Sequence, residues 1–193
     1  MSLSLILDTA VAAGALAIPF VLLDRRYIHA PLRSACYYLM AVYLSAMFAL
    51  VGLPDIRYIR FHPNINLIPF RYFFTDRSSG LNVLLFLPLG VLLPVLWQQF
   101  RSGVHTVLFG LGTSAFIELL QIFTLRATDI NDLITNTLGT FLGWALGRAL
   151  LLCFPKIRPC GQTKQIYLVC GITVAFMILL HPFLSDPVLS LLS

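Results

Sequence analysis

Long apolar runs separated by short polar breaks dominate the chain, and the breaks mark out its elements. Six runs approach the roughly 20 residues that an α-helix needs to cross a bilayer. They cover about Leu3–Leu23, Ala35–Leu53, Gly80–Trp97, Val104–Phe123, Asp132–Phe154 and Ile166–Leu184. The pattern predicts an all-α fold, a polytopic transmembrane helical bundle of about six spans. Pro19 in the first run and Pro88 and Pro94 in the third remove backbone donors and predict bends. Asp8 interrupts the first run near its start, where an interfacial carboxylate fits. The longest break, Pro54–Ser79, holds Arg57, Arg60, Arg71 and Arg77 among Tyr, Phe and Ile, and is too apolar to float free. It predicts a re-entrant or interfacial element whose backbone is buried in protein or faces water, or equally a basic amphipathic segment lying on anionic headgroups.

Two runs are polar on one side. In the fourth, Gly110, Ser114, Glu118 and Gln121 recur at steps of four, four and three and so share a helix face. In the fifth, Asp132, Asn136, Gly139, Gly143 and Gly147 line one side, and the tandem GxxxG lets another helix approach closely. The stretch Phe116–Gly147 therefore carries Glu118, Gln121, Arg126, Asp129, Asp132 and Asn136. Ionisable groups in hydrocarbon cost about 2.5 to 3.5 kcal/mol each on insertion scales, so this cluster requires a cause. With its helix continuing to Phe123, Glu118 would lie roughly six residues, on the order of 10 Å, below the interface.

Composition and charge agree with this pattern. The 193 residues are 59% hydrophobic and only 11% charged, against about 25% charged in soluble domains, which makes the bilayer the main solvent. Residues 1–193 thus read as a single membrane domain. The net charge of +5 reports topology rather than nucleic-acid binding. Connections one, three and five hold eight Lys and Arg (Arg25, Arg26, Arg33, Arg101, Arg148, Lys156, Arg158, Lys164), the opposite side five (Arg57, Arg60, Arg71, Arg77, Arg126). The positive-inside rule then puts both termini, the long second connection and the segment RATDIND outside. The first run has no Lys or Arg before it, so it reads as a retained span rather than a secretory signal. Cys36, Cys153, Cys160 and Cys170 form no CxxC pair, the four histidines form no HExxH, and Ser114 has no GxSxG elbow. Zinc and nucleophilic-serine chemistry are set aside on those grounds.

The candidate catalytic residues are Glu118, Asp129 and Asp132. Three carboxylates can act as general acid and base, or hold Mg²⁺ or Ca²⁺ through oxygen, and spacing alone does not choose between these cofactor assignments. Arg71, Arg77 and Arg126 suit a phosphate or another anionic headgroup, with Asn82, Gln121 and Asn136 placed to orient it. Simpler roles compete for the same residues. Asp129 and Asp132, three apart at a helix start, can serve as N-cap and third-position acid. Glu118 and Gln121 can bond neighbouring helices, and Ser114 reads as a small packing residue.

Four segments resemble the VanZ-like family of membrane proteins, named after a teicoplanin-resistance protein. They are NLIPF (Asn66–Phe70), NVLLFLPLG (Asn82–Gly90), SAFIELLQ (Ser114–Gln121) and RATDINDLITNTLGTFLG (Arg126–Gly143). The resemblance covers about residues 66–150 and adds Asn66, Pro69, Pro88, Gly90 and Gly139 to the pattern positions, with Asn66 joining the ligand-binding candidates. It implies a multi-pass protein of the cytoplasmic membrane that in some members lowers susceptibility to glycopeptides. Together with the polar cluster it predicts an envelope protein with an outward pocket for a lipid-linked or amphiphilic anionic ligand, its partners being membrane lipids, an envelope precursor or another membrane protein. Two alternatives stand beside it: a non-catalytic packing or partner module, and a Mg²⁺-dependent phospholipid-type transferase suggested by DxxD at Asp129 and Asp132.

Overall fold

The computed structural model describes residues 3–23, 25, 31–54, 56–57, 59–61, 64–70, 78–124, 126–159 and 163–184; Arg71 and Arg77 lie outside them. The chain forms two compact units, one from residues 1–59 and 160–193, the other from residues 60–159.

The first unit holds helices α1 (Leu3–Leu23), α2 (Pro31–Val51) and α6 (Thr163–Leu179). Helix α2 packs against both others, which explains why its Met40, Leu44 and Met47 are fully buried along with Leu16 of α1 and Ile166 of α6. Tyr37 donates to the Gln165 side chain, and Tyr38 donates to the Ala13 carbonyl at 2.8 Å. Helix α2 begins four residues earlier than its apolar run because Pro31 suits the first helical position, where its missing N–H is not needed. It ends on Gly52, whose φ of 70° and N–H to the Phe48 carbonyl form a left-handed cap.

The second unit holds β1 (Ile65–Asn66), α3 (Ser78–Leu96), a 3₁₀ turn at Gln98–Arg101, α4 (Gly103–Gln121), β2 (Thr128–Asp129) and α5 (Ile130–Cys153). Helices α3 and α5 have the most extensive contact of any pair, and α4 packs on α5. The glycine stripe is the cause. A Cβ on Gly143 would strike the Leu87 carbonyl oxygen, one on Gly139 the Val83 carbonyl, and one on Gly90 the Thr140 carbonyl. The seam is therefore backbone against backbone, with Gly90 of α3 facing the α5 glycines. Helix α3 runs continuously through Pro88 and Pro94.

The fold class is as the pattern predicts, with a helix at each of the six apolar runs. Among the described residues, the stretches Arg33–Val51, Ser79–Leu96 and Gly103–Gln121 are long and apolar enough to cross a membrane. The boundaries differ where polar groups intervene. Helix α4 stops at Gln121 rather than Phe123, so Glu118 sits in its last turn and not two turns inside. Helix α5 starts at Ile130 because Asp129 caps it. The long second connection is not only a surface segment: β1 pairs with β2 in parallel, Ile65 opposite Thr128 and Asn66 opposite Asp129.

Candidate functional site

The site is built at one end of the second unit, where the α4 C-terminus, the α5 N-terminus, the first turns of α3 and the segment Asn64–Phe70 meet. Asp129 has extended backbone (φ −127°, ψ 127°), and its Oδ1 accepts the Asn131 N–H at 2.8 Å. This satisfies an amide that the helix start leaves open. Its other oxygen, Oδ2, accepts from Asn66 Nδ2 at 3.0 Å. Asn66 Oδ1 takes the Ile68 N–H at 3.3 Å, so one asparagine both turns its own segment and ties it to α5. Two residues on, Asn131 Oδ1 accepts the Phe70 N–H at 2.6 Å. Phe70 has φ of 62°, a left-handed conformation rare outside glycine, and this bond helps hold it there.

Helix α4 supplies Glu118, 7% exposed. Its Oε2 accepts the Asp129 N–H at 2.9 Å, and its carbonyl accepts from Thr128 Oγ1 at 3.1 Å. The Asp129 and Asp132 carboxylates lie near enough to Glu118 to repel it. In the first turn of α5, Asp132 Oδ1 accepts from Asn82 Nδ2 of α3 at 2.7 Å. One turn deeper, Asn136 Nδ2 donates to Ser114 Oγ at 2.9 Å. Asn136 is 3% exposed, and its Oδ1 is buried without a hydrogen-bond partner among the described residues. Gln121 is buried, with its carbonyl accepting from Thr124 Oγ1 at 2.9 Å. Arg126 is exposed in the turn before β2, its N–H on Thr124 Oγ1.

Of the residues singled out in the sequence, Glu118, Asp129, Asp132, Asn66, Asn82, Gln121, Arg126 and Asn136 thus come to one end of one unit, while Arg71 and Arg77 lie outside the described residues. The N-cap role that spacing allowed for Asp129 is observed, with Asp132 the acid of the first turn. Ser114 is more than packing, since it receives the Asn136 amide. Thr128 and Asn131 were not singled out, although both lie in the polar stretch before α5. Among the described residues, no group of three or more His, Cys, Asp or Glu side chains is disposed to hold a metal ion. What the arrangement offers is hydrogen-bond acceptors on two buried residues, Glu118 and Asn136.

Apolar helices of bilayer length together with buried polar groups at one helical end define a helical membrane protein. The VanZ/LLP1 family model matches residues 35–152, more than half of the chain, and the chain belongs to that family. The match begins earlier than the four motifs and takes in α2. The chain is also similar to Protein VanZ of Enterococcus faecium, 40% identical over 84 residues, 43% of this chain and 52% of that protein. It thus spans about half the length of the curated relative it matches. No solved structure matches the chain.

Proposed function

We propose that this protein is a multi-pass cytoplasmic-membrane protein of the bacterial envelope whose polar recess binds or processes an amphiphilic or lipid-linked anionic ligand. One observation carries this reading. Asn66 and the Phe70 N–H are hydrogen-bonded into the α5 start, which stands Leu67, Ile68 and Phe70, 69%, 54% and 61% exposed, directly beside the polar groups. An apolar rim next to a recess of buried acceptors suits a molecule that is greasy at one end and polar at the other. Glu118, buried and with one carboxylate oxygen on the Asp129 N–H, is the group assigned to accept a hydrogen bond or exchange a proton. Asp129, with both oxygens engaged, holds the recess in shape, and Asn82 positions Asp132. Arg126, with Arg71 and Arg77 from the same side of the chain, supplies positive charge for the headgroup.

The family name supports a readout: in a susceptible host, expression of the chain raises tolerance to teicoplanin. Glu118→Gln keeps an acceptor for the Asp129 N–H and so keeps the fold, yet removes the carboxylate. The expected result is loss of the tolerance at unchanged membrane levels; full tolerance with E118Q sinks the proposal. The charge count favours an orientation with this recess and both termini outside. A second reading, a non-catalytic packing or partner module, draws support from the backbone seam of α3 and α5 and from the capping duty of Asp129. It expects E118Q to be silent and glycine substitutions alone to matter.

A further inference from the structure

The first unit carries a feature that the polar recess does not use. Between α1 and α2 lies a groove of about 300 Å³, lined by Ala17, Phe20 and Val21 on one side and by Ser34, Ala35 and Tyr38 on the other, with Arg25 at its end. Its hollow comes from small residues, Ala17 and Ala35, set between two rings. Phe20 and Tyr38 meet edge to face with centroids 6.3 Å apart and make the wall rigid. Ala17 stands roughly two turns before Arg25, so the groove runs from the apolar body of α1 to a cation at the helix end.

We propose that this groove binds an anionic phospholipid, with an acyl chain along Ala17, Phe20 and Tyr38 and the phosphate on Arg25. The placement favours lipid over any water-borne ligand. The apolar end is lined by α1 and α2 within their apolar runs, which in a bilayer would stand in hydrocarbon, where an empty groove would forfeit contact on one side. At the polar end Arg25 is exposed and Ser34 adds a hydroxyl, groups that suit the level of headgroups. Guanidinium suits phosphate because its planar fork matches two oxygens at once. Basic sites at helix ends select anionic headgroups in this way.

The test uses the full chain in vesicles of equal phosphatidylglycerol and phosphatidylcholine with identical acyl chains, followed by native mass spectrometry of the lipid retained. Wild type should retain phosphatidylglycerol in preference to phosphatidylcholine. R25Q, a change at an exposed side chain that keeps the fold, should cut that preference about fivefold. A35F, which fills the groove, should reduce retention of both lipids. Arg33 does not line the groove, and R33Q should leave the preference intact. Equal retention of the two lipids by wild type, an R25Q variant that behaves as wild type, an A35F variant that retains lipid as before, or an R33Q variant that falls as far as R25Q overturns the proposal.

Discussion

Asp129 is the residue on which the polar cluster turns, since three bonds meet there: its oxygens receive Asn131 N and Asn66 Nδ2, and its own N–H goes to Glu118. Losing a cap of this kind costs about 0.5 to 2 kcal/mol, and the Asn66 bond adds about 1 kcal/mol. Asp129→Ala should therefore lower thermal stability in detergent by about 1 to 3 kcal/mol. In a double-mutant cycle with Asn66→Ala, the two changes should couple by at least about 0.5 kcal/mol; strict additivity would show that the bond contributes nothing. Asn136 makes the opposite case. A buried acceptor without a partner costs about 1 to 3 kcal/mol, whereas replacing both members of a pair by apolar groups is nearly neutral or stabilising. The double variant Ser114→Ala with Asn136→Leu should thus melt at or above the parent temperature, followed by tryptophan fluorescence. Its effect on teicoplanin tolerance should be loss, because the oxygens it removes belong to the proposed ligand site.

At the scale of elements, the α3–α5 seam makes a graded prediction. Gly143→Ala drives a methyl into the Leu87 carbonyl and should cost about 2 kcal/mol or more, at the high end for over-packing. Gly112 of α4 has nothing within 4 Å of a Cβ, and Gly112→Ala should be neutral or stabilising by up to about 1 kcal/mol. Unfolding in a denaturing detergent titration separates the two; equal effects would mean that the seam is not tight. The helices were legible because apolar runs and helical spacing are local signals. Gly110, Ser114, Glu118 and Gln121 are all buried along α4, and Asn136, Gly139, Gly143 and Gly147 along α5, as their spacing requires. The partner of the glycine stripe was not legible: GxxxG announces a close approach without saying to what, and the answer is α3, at Val83, Leu87, Gly90 and Val91. The pairing of β1 with β2 left no trace either, since Asn66 and Asp129 lie 63 residues apart and two residues have no periodicity. The same distance hid Asn131, whose purpose is a backbone N–H 61 positions earlier. The end of α4 was placed late because the apolar residues Ile122 and Phe123 extend the run past the point where the helix ends.

For the whole molecule, orientation is the open prediction. In a background with all four cysteines replaced by serine, Thr124→Cys reports the recess end and Lys156→Cys the end beyond α5. With the recess outside, intact cells should label the first with a membrane-impermeant maleimide and the second only after permeabilisation. The reverse pattern would put the acceptors in the cytoplasm and remove the proposed envelope ligand.

Where main chain meets main chain, at Gly90, Gly139 and Gly143, the seam has no rotamers to adjust. Sliding or tilting α3 against α5 would bring Leu87, Val83 and Thr140 carbonyls into neighbouring backbone, so those two helices move as one post. Helix α4 meets that post through side chains, Gly110 against Thr140 and the bonds Glu118 to Asp129 N and Ser114 to Asn136. Should the proposed ligand enter between these helices, α4 is the one that would move, and both bonds would let go together.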